Sequence, residues 1–457
     1  MTCNQSEEQA MPHTDKRATI IKKNHMEILW HEYADATDSG SILQESLPAK
    51  ASIVGRVGMM MLSCGTGAWR VRNSMNQLSE LMNMTCTVDV GFMSINYSCF
   101  DGESSFSQCL CLTNTGVNIS QLNRLEKFVK NFSKQEIKQN CEEIHSALDS
   151  IENIHGLYSP IILTLSAALA CGAFTFLLGG GIVEILCAFV GAGIGNYIRC
   201  QLSKSHYTLF LCIISSVSAA CLTYAGLLKI LEILLSVQSQ NEAGYICSML
   251  FIVPGFPFIT SGIDLAKLDM RSGIERMTYS LIITTVATMT AWILAMLLDL
   301  TPLPFQPLKF ALWQWISLRL VASFCGVFGF SIMFNSPVQI AVAAGIVGAV
   351  TNTLRLELVD LLPLAPAVAA FIGAFLSGML ASGLKKVAGY PRISLTVPSI
   401  VIMVPGLYLY RGFYNLGTMD LSSAASWLAS ALLIILALPL GLIFARIITD
   451  KTFRYCT

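Results

Sequence analysis

Charge is what this sequence has least of. Only 13% of its 457 residues are charged, against 54% hydrophobic, and its mean hydropathy is +0.60. A soluble globule carries about twice that charged share, so a chain soluble throughout is excluded. Lys and Arg number 29, as do Asp and Glu. With no basic excess, no nucleic-acid partner is implied. The first fifty residues lack the apolar core that a secretory signal needs, so insertion is expected to begin at the first membrane helix. They are polar and of mixed charge, and are expected to be unstructured up to about Leu47. Metal-ligand spacing is missing as well. The fifteen cysteines are scattered; Cys109 and Cys111 form a C-x-C, with Cys86 and Cys99 upstream, which is not a zinc pattern. No metal and no cofactor is expected. Cys171, Cys187, Cys212, Cys221, Cys247 and Cys325 lie in apolar stretches and read as small buried hydrophobes. Ser63, Ser94 and His145 have no triad spacing. The Gly65/Gly67 turn follows a helix and lacks the third glycine of a phosphate loop.

What the sequence has is apolar length. Residues 157–450 are long apolar stretches separated by short polar loops. A helix needs about 20 apolar residues to cross a bilayer. Ten segments qualify, at approximately 159–178, 181–199, 206–228, 245–263, 277–298, 310–334, 338–354, 361–383, 394–411 and 424–448. The expected fold class is an all-α polytopic membrane domain behind a small soluble α+β domain. The expected division is a polar tail (1–48), a soluble cytoplasmic α+β domain (49–156), two five-helix membrane repeats (157–300 and 308–450) and a cytoplasmic tail (451–457). Within the soluble domain, Ala51 to Met61 and Ala68 to Met82 read as helices. Cys86 to Cys99 and Ser105 to Leu112 alternate as strands, and Val117 to Phe132 is amphipathic.

Basic residues orient the spans. With a cytoplasmic N-terminus, the inside loops and tail carry Arg199, Lys204, Lys267, Arg271, Arg276, Lys385, Lys386, Arg392, Arg446, Lys451 and Arg454. The outside loops carry Lys229, Lys309, Arg355 and Arg411, so the tally is eleven against four. Insertion follows that bias. Sequons at Asn83, Asn96, Asn118 and Asn131 pull the other way, since glycosylation would need the opposite side. The charge bias is the stronger signal. It places a multi-pass protein in a plasma or inner membrane, with reduced thiols.

The apolar region repeats itself. Cys171-Gly172-Ala173-Phe174-Thr175-Phe176 matches Cys325-Gly326-Val327-Phe328-Gly329-Phe330. Val253-Pro254-Gly255-Phe256-Pro257-Phe258 matches Val404-Pro405-Gly406-Leu407-Tyr408-Leu409. The gap between the motifs is about eighty residues in both halves. Five spans per half is an odd number, so the second half enters from the opposite side and the repeat is inverted. Proline removes a helix hydrogen bond and clashes with the preceding turn. Backbone groups freed in this way cannot face lipid. Broken helices at matching positions of two halves point to a transport site. The candidate substrate-binding residues are therefore Pro254, Gly255, Phe256, Pro257, Pro405, Gly406 and Tyr408; plain kinks are the alternative. Charges at membrane depth are functional candidates by default. Arg319 is a candidate for a substrate carboxylate, or else a snorkelling or Glu184-paired residue. Glu184 and Asp264 are candidates for the coupled proton. Asn196 and Asn352 close the second and seventh spans after runs of small residues, which more often mark close helix packing.

Four stretches carry a resemblance. RVGMMMLSCGTGAWRVRNSM from Arg56, VDVGFMSI from Val88, VPGFPFITSGIDL from Val253 and VPGLYLYRGFYNL from Val404 resemble, in this order, the threonine/serine exporter family. The likeness covers about residues 50–447. It implies a soluble N-terminal part, ten spans and proton-driven efflux of small hydroxy amino acids. Some members of the family carry the two halves as separate proteins, and relatives are linked to small dicarboxylates such as succinate. This sequence departs in its polar tail, its cysteine content and its weak helix-breaking signal over Ser331 to Val338. A small-molecule substrate and a lipid bilayer are the partners implied, and a homo-oligomer is compatible with the plan. A membrane-anchored hydrolase or sensor acting through the soluble domain, and a passive channel, are the competing classes.

Overall fold

The computed structural model describes residues 28–34, 40–133, 136–154, 156–235, 244–300, 302, 305, 308–388 and 390–454. The N-terminal part builds α1 (Leu47–Ser63), α2 (Ala68–Leu81), strands β1 (Thr85–Val90), β2 (Ser94–Phe100) and β3 (Ser105–Cys111), α3 (Ile119–Asn131) and α4 (Cys141–Glu152). The strands form one antiparallel sheet in the order β1-β2-β3. The stretch from Cys86 to Cys99, expected as one strand, is two. A Gly91 N–H to Ser94 carbonyl bond of 2.8 Å closes a turn between them. Alternation puts Ile95, Tyr97 and Cys99 on the covered face of β2. The Tyr97 hydroxyl donates to the Ala51 carbonyl at 3.0 Å, which ties the sheet to α1. Leu122, Leu125, Phe128 and Val129 form the buried stripe of α3. Asn140 and Glu143 make a reciprocal capping box on α4.

The expected polar tail needs correction within the described residues. Trp30–Tyr33 and Ile42–Gln44 are short 3-10 helices. Ile42 is fully buried, and His31 bonds Glu142 at 2.8 Å and Asp149 at 2.9 Å on α4. Apolar anchors inside a polar composition hold these segments down. The first 27 residues lie outside the described set.

Among the described residues, eight uninterrupted helices are long and apolar enough to cross a membrane, and two bent pairs raise the count to ten if each pair is one span. The uninterrupted helices are α5 (Pro160–Leu177), α6 (Ile182–Lys204), α7 (Leu209–Leu235), α10 (Met270–Leu297), α11 (Leu312–Met333), α12 (Val338–Leu361), α13 (Pro366–Ala388) and α16 (Leu421–Thr449). The fourth span is α8 (Gly244–Ser248), a 3-10 turn (Leu250–Ile252) and α9 (Gly255–Ala266), bent by 59°. The ninth is α14 (Arg392–Val401) and α15 (Gly406–Gly417), bent by 46°. The seventh span, expected to end near 354, continues to Leu361, so Arg355 is helical. Arg411 likewise lies inside α15 rather than in a loop.

The two halves pack as exchanged copies. The first helices of the halves, α5 and α11, lie against each other. Each second segment of a bent pair packs on the last helix of the other half: α9 on α16, and α15 on α10. The N-terminal part touches the connections after the fourth and sixth spans and the end of the tenth. Arg276 donates to the Gly65 and Thr66 carbonyls, and Ile119 N–H donates to the Phe334 carbonyl at 3.0 Å. Trp69 lies against Phe453. These are all even-numbered connections, which alternation places on one side.

Candidate substrate site at the paired helix breaks

Both breaks have one local geometry. Pro254 sits at φ −80°, ψ 65°, and Pro405 at φ −83°, ψ 54°. The Gly255 N–H donates to the Val253 carbonyl at 2.8 Å, and the Gly406 N–H to the Val404 carbonyl at 2.9 Å. Each Val-Pro-Gly is thus an inverse γ-turn. The missing proline N–H stops the incoming helix, and the next helix starts at the glycine. Pro257 falls in the first turn of α9, where a missing N–H costs no intrahelical bond.

The breaks converge on a small cavity of about 50 Å³. Its wall includes Val253, Gly255, Val404, Pro405, Gly406 and Tyr408, closed by Phe174 and Leu178 of the first half and Phe330 of the second. Of the sequence candidates, Gly255, Pro405, Gly406 and Tyr408 line it. Pro254, Phe256 and Pro257 do not; Phe256 is buried with its ring 5.3 Å from that of Phe334. A Tyr245–Tyr410 hydroxyl pair at 2.6 Å joins α8 to α15 nearby.

Arg319 is elsewhere. Its guanidinium bonds Glu357 at 2.7 Å and Asp360 at 2.5 Å on α12, and sits 4.9 Å over the Trp315 ring. It does not line the cavity, and its partners are these two carboxylates rather than Glu184. These pairs favour a structural role for Arg319 over the expected substrate role, since its charge is already answered on the next helix.

Asp264 is completely buried at the end of α9. It accepts from Ala68 N–H and from the Ser272 hydroxyl, both at 3.0 Å, and pairs with Arg276 at 3.3 Å. It therefore caps the first turn of α2 from the membrane side. Glu184 is 5% exposed in the first turn of α6, where the helix dipole favours an anion.

Sequence reasoning missed Arg355. It stands in the cavity wall. Its Nη1 donates to Asn352 Oδ1 at 3.3 Å, and its Nε has no partner among the described residues. A signal was present in the repeat: Asn352-Thr353-Leu354-Arg355 matches Asn196-Tyr197-Ile198-Arg199. Both asparagines tie the second helix of a half to its first. Asn196 Nδ2 donates to the Leu163 carbonyl at 3.0 Å, and Asn352 Nδ2 to the Ser323 hydroxyl at 2.9 Å.

A Ser–His contact was missed too. Ser52 Oγ is 2.9 Å from His145 Nε2, with both residues fully buried. Burial, then the Arg56 cation, holds the imidazole down to about 3. So weak a base cannot activate a serine near neutral pH, and the contact is core packing.

Apolar helices in two exchanged halves, broken at matched turns around one cavity, define a multi-pass membrane transporter. The family described as "Putative threonine/serine exporter" matches residues 52–298. A second, described as "Threonine/Serine exporter, ThrE", matches residues 319–448. The chain belongs to the threonine/serine exporter family, with both halves in one polypeptide. A curated relative, "Probable succinate transporter subunit YjjP" of Klebsiella aerogenes, is 28% identical over 143 residues. The match covers 30% of this chain and about half, 53%, of that protein. No solved structure matches the chain.

Proposed function

We propose that this chain is a secondary active exporter of threonine and serine, driven by the proton gradient across a plasma or inner membrane. The N-terminal α+β part (49–156) is then a cytoplasmic domain, and 157–300 and 308–450 are the two membrane repeats. The carrying observation is the pair of identical Val-Pro-Gly turns facing one cavity. The N-terminus of a helix carries a partial positive charge, which suits a substrate carboxylate. Substrate rests at Gly255, Pro405, Gly406 and Tyr408, with Pro254, Phe256 and Pro257 setting the first break. Glu184, in the first turn of α6, and Asp264, at the end of α9, are the carboxylates assigned to the exchanging proton. The cytoplasmic side is supported by Asn118, whose amide Nδ2 and Oδ1 bond Gln121 and Asn335, leaving its sequon engaged. A hydrolase reading gains nothing from the buried Ser52–His145 contact.

The test is efflux from cells loaded with labelled threonine, serine or succinate, with and without an uncoupler. Threonine and serine should leave faster than from cells lacking the chain, and the uncoupler should slow them. Uncoupler-insensitive flux down the gradient would make the protein a channel. Export of a dicarboxylate alone would favour the second reading, which the printed name of the Klebsiella relative supports.

A further inference from the structure

We propose that Arg355 binds the substrate carboxylate, and that Arg199 takes its place when the carrier opens to the other side. This rests on the exporter reading and names the residues that recognise its cargo.

A cation at membrane depth needs an anion or a wet cavity. Arg355 has the cavity. The carboxylates two and five residues along its own helix, Glu357 and Asp360, are both taken by Arg319. Its own hydrogen bonding is to a neutral amide, at 3.3 Å, with Nε left over. The guanidinium fork is suited to paired bonds with a carboxylate. The neighbouring Tyr408 side chain and the start of α15 at Gly406 complete a polar corner in a wall that is otherwise apolar. A small amino acid or dicarboxylate fits such a corner by its carboxylate end.

The repeat supplies the second arginine. Arg199 stands three residues after Asn196, as Arg355 does after Asn352, and both asparagines brace the same pair of helices in their half. Yet the two arginines differ in setting. Arg199 does not line the cavity; its guanidinium lies 5.8 Å over the ring of Phe251, just before the first break. Like Arg355, it makes no ion pair among the described residues. Inverted halves exchange conformations when access alternates. The exchange would free Arg199 from Phe251 and bring it to the cavity while Arg355 is covered.

The experiment uses the full chain in proteoliposomes, with threonine uptake measured from each face. Arg355→Gln should raise KM at one face by about tenfold or more, and Arg199→Gln should do so at the other. Arg355→Lys keeps the charge without the fork, so its KM should fall between wild type and Arg355→Gln. If Arg355→Gln does not insert, the lysine variant and a melting assay carry the test. Threonine should protect the wild type against thermal unfolding, and threonine amide, which has no carboxylate, should not. Unchanged KM at both faces with a lower maximal rate would overturn the proposal, as would equal protection by the amide. A wild type that carries neither hydroxy amino acids nor dicarboxylates would instead remove the exporter reading itself.

Discussion

Two arginines in apolar helices look alike on paper and have opposite surroundings. Arg319 is neutralised by Glu357 and Asp360, while Arg355 faces a cavity. Sequence alone shows a charge in an apolar run and nothing of what lies one helix away. The same ion pairs explain why the seventh span ran past its expected end. Glu357 and Asp360 count against a membrane helix until Arg319 neutralises them. Arg319→Gln would leave two acidic groups in the bilayer region without their cation. We expect lower abundance and a lower melting temperature, with threonine KM unchanged in transport assays. A raised KM would return Arg319 to the site. The histidines of the N-terminal part give a second test, with opposite signs. His145 is depressed to about 3 from an ordinary 6.5, so the unfolded chain takes up a proton that the folded chain refuses. Its contribution to stability is present above pH 6.5 and is lost as pH falls toward 3. His31 is raised, first by its bond to Glu142, so its contribution is present below 6.5 and is lost as pH rises through the raised value. Melting temperature against pH for purified full-length chain should fall on the acid side of 6.5, and less steeply in His145→Gln. Parallel wild-type and variant curves would mean His145 is not what limits acid stability.

At the scale of elements, the legible parts were those with a covalent cause. Pro254 and Pro405 stop a helix whatever surrounds them, and both breaks fall where the sequence puts them. Small residues were legible in the same way. Gly191 and Gly195 let α6 approach the Ala220 and Ser216 carbonyls of α7 so closely that a Cβ would meet them at 2.8 and 2.7 Å. What was not legible is which break residues face the cavity. The three that do not, Pro254, Phe256 and Pro257, sit in the same motif as Gly255, and only the direction of α9 separates them. The double variant Pro254→Ala with Pro405→Ala tests the element itself. Each alanine restores a backbone donor and relieves a clash worth about 3 kcal/mol in a helix, so both spans can straighten. The variant should insert and melt at or above the wild-type temperature, yet export at least about tenfold more slowly. Normal export by a stably inserted double variant would mean that the turns are only kinks.

At the scale of the molecule, one buried pair holds the N-terminal part to the membrane helices. Asp264 accepts from the first N–H of α2, that of Ala68, and Arg276 donates to the carbonyls of Gly65 and Thr66 just before it. Together they grip the Cys64-Gly65-Thr66-Gly67 turn from both sides of its polarity. A Cβ on Gly67 would lie 2.5 Å from Asp264 Oδ1, so the glycine is what allows the approach. The sequence shows this turn and both charges, but not that residues 196 positions apart meet. A carboxylate at the end of a broken span reads as a proton carrier, and its partners add a structural reading that the sequence does not show. Removing one partner of a buried ion pair leaves the other charged and unpaired, at about 3–5 kcal/mol. Asp264→Ala should therefore release the turn as well as destabilise the protein. Hydrogen exchange at the Ala68 amide should quicken by orders of magnitude, while amides in the middle of α5 and α11 stay protected. Arg276→Ala should do the same through the other end of the pair, and joining the two substitutions should cost much less than their sum, because each removes the charge that the other strands. Additive effects with unchanged exchange at Ala68 would show that the N-terminal part is held by the contacts at Phe334 and Phe453 instead, and that Asp264 is free for the proton.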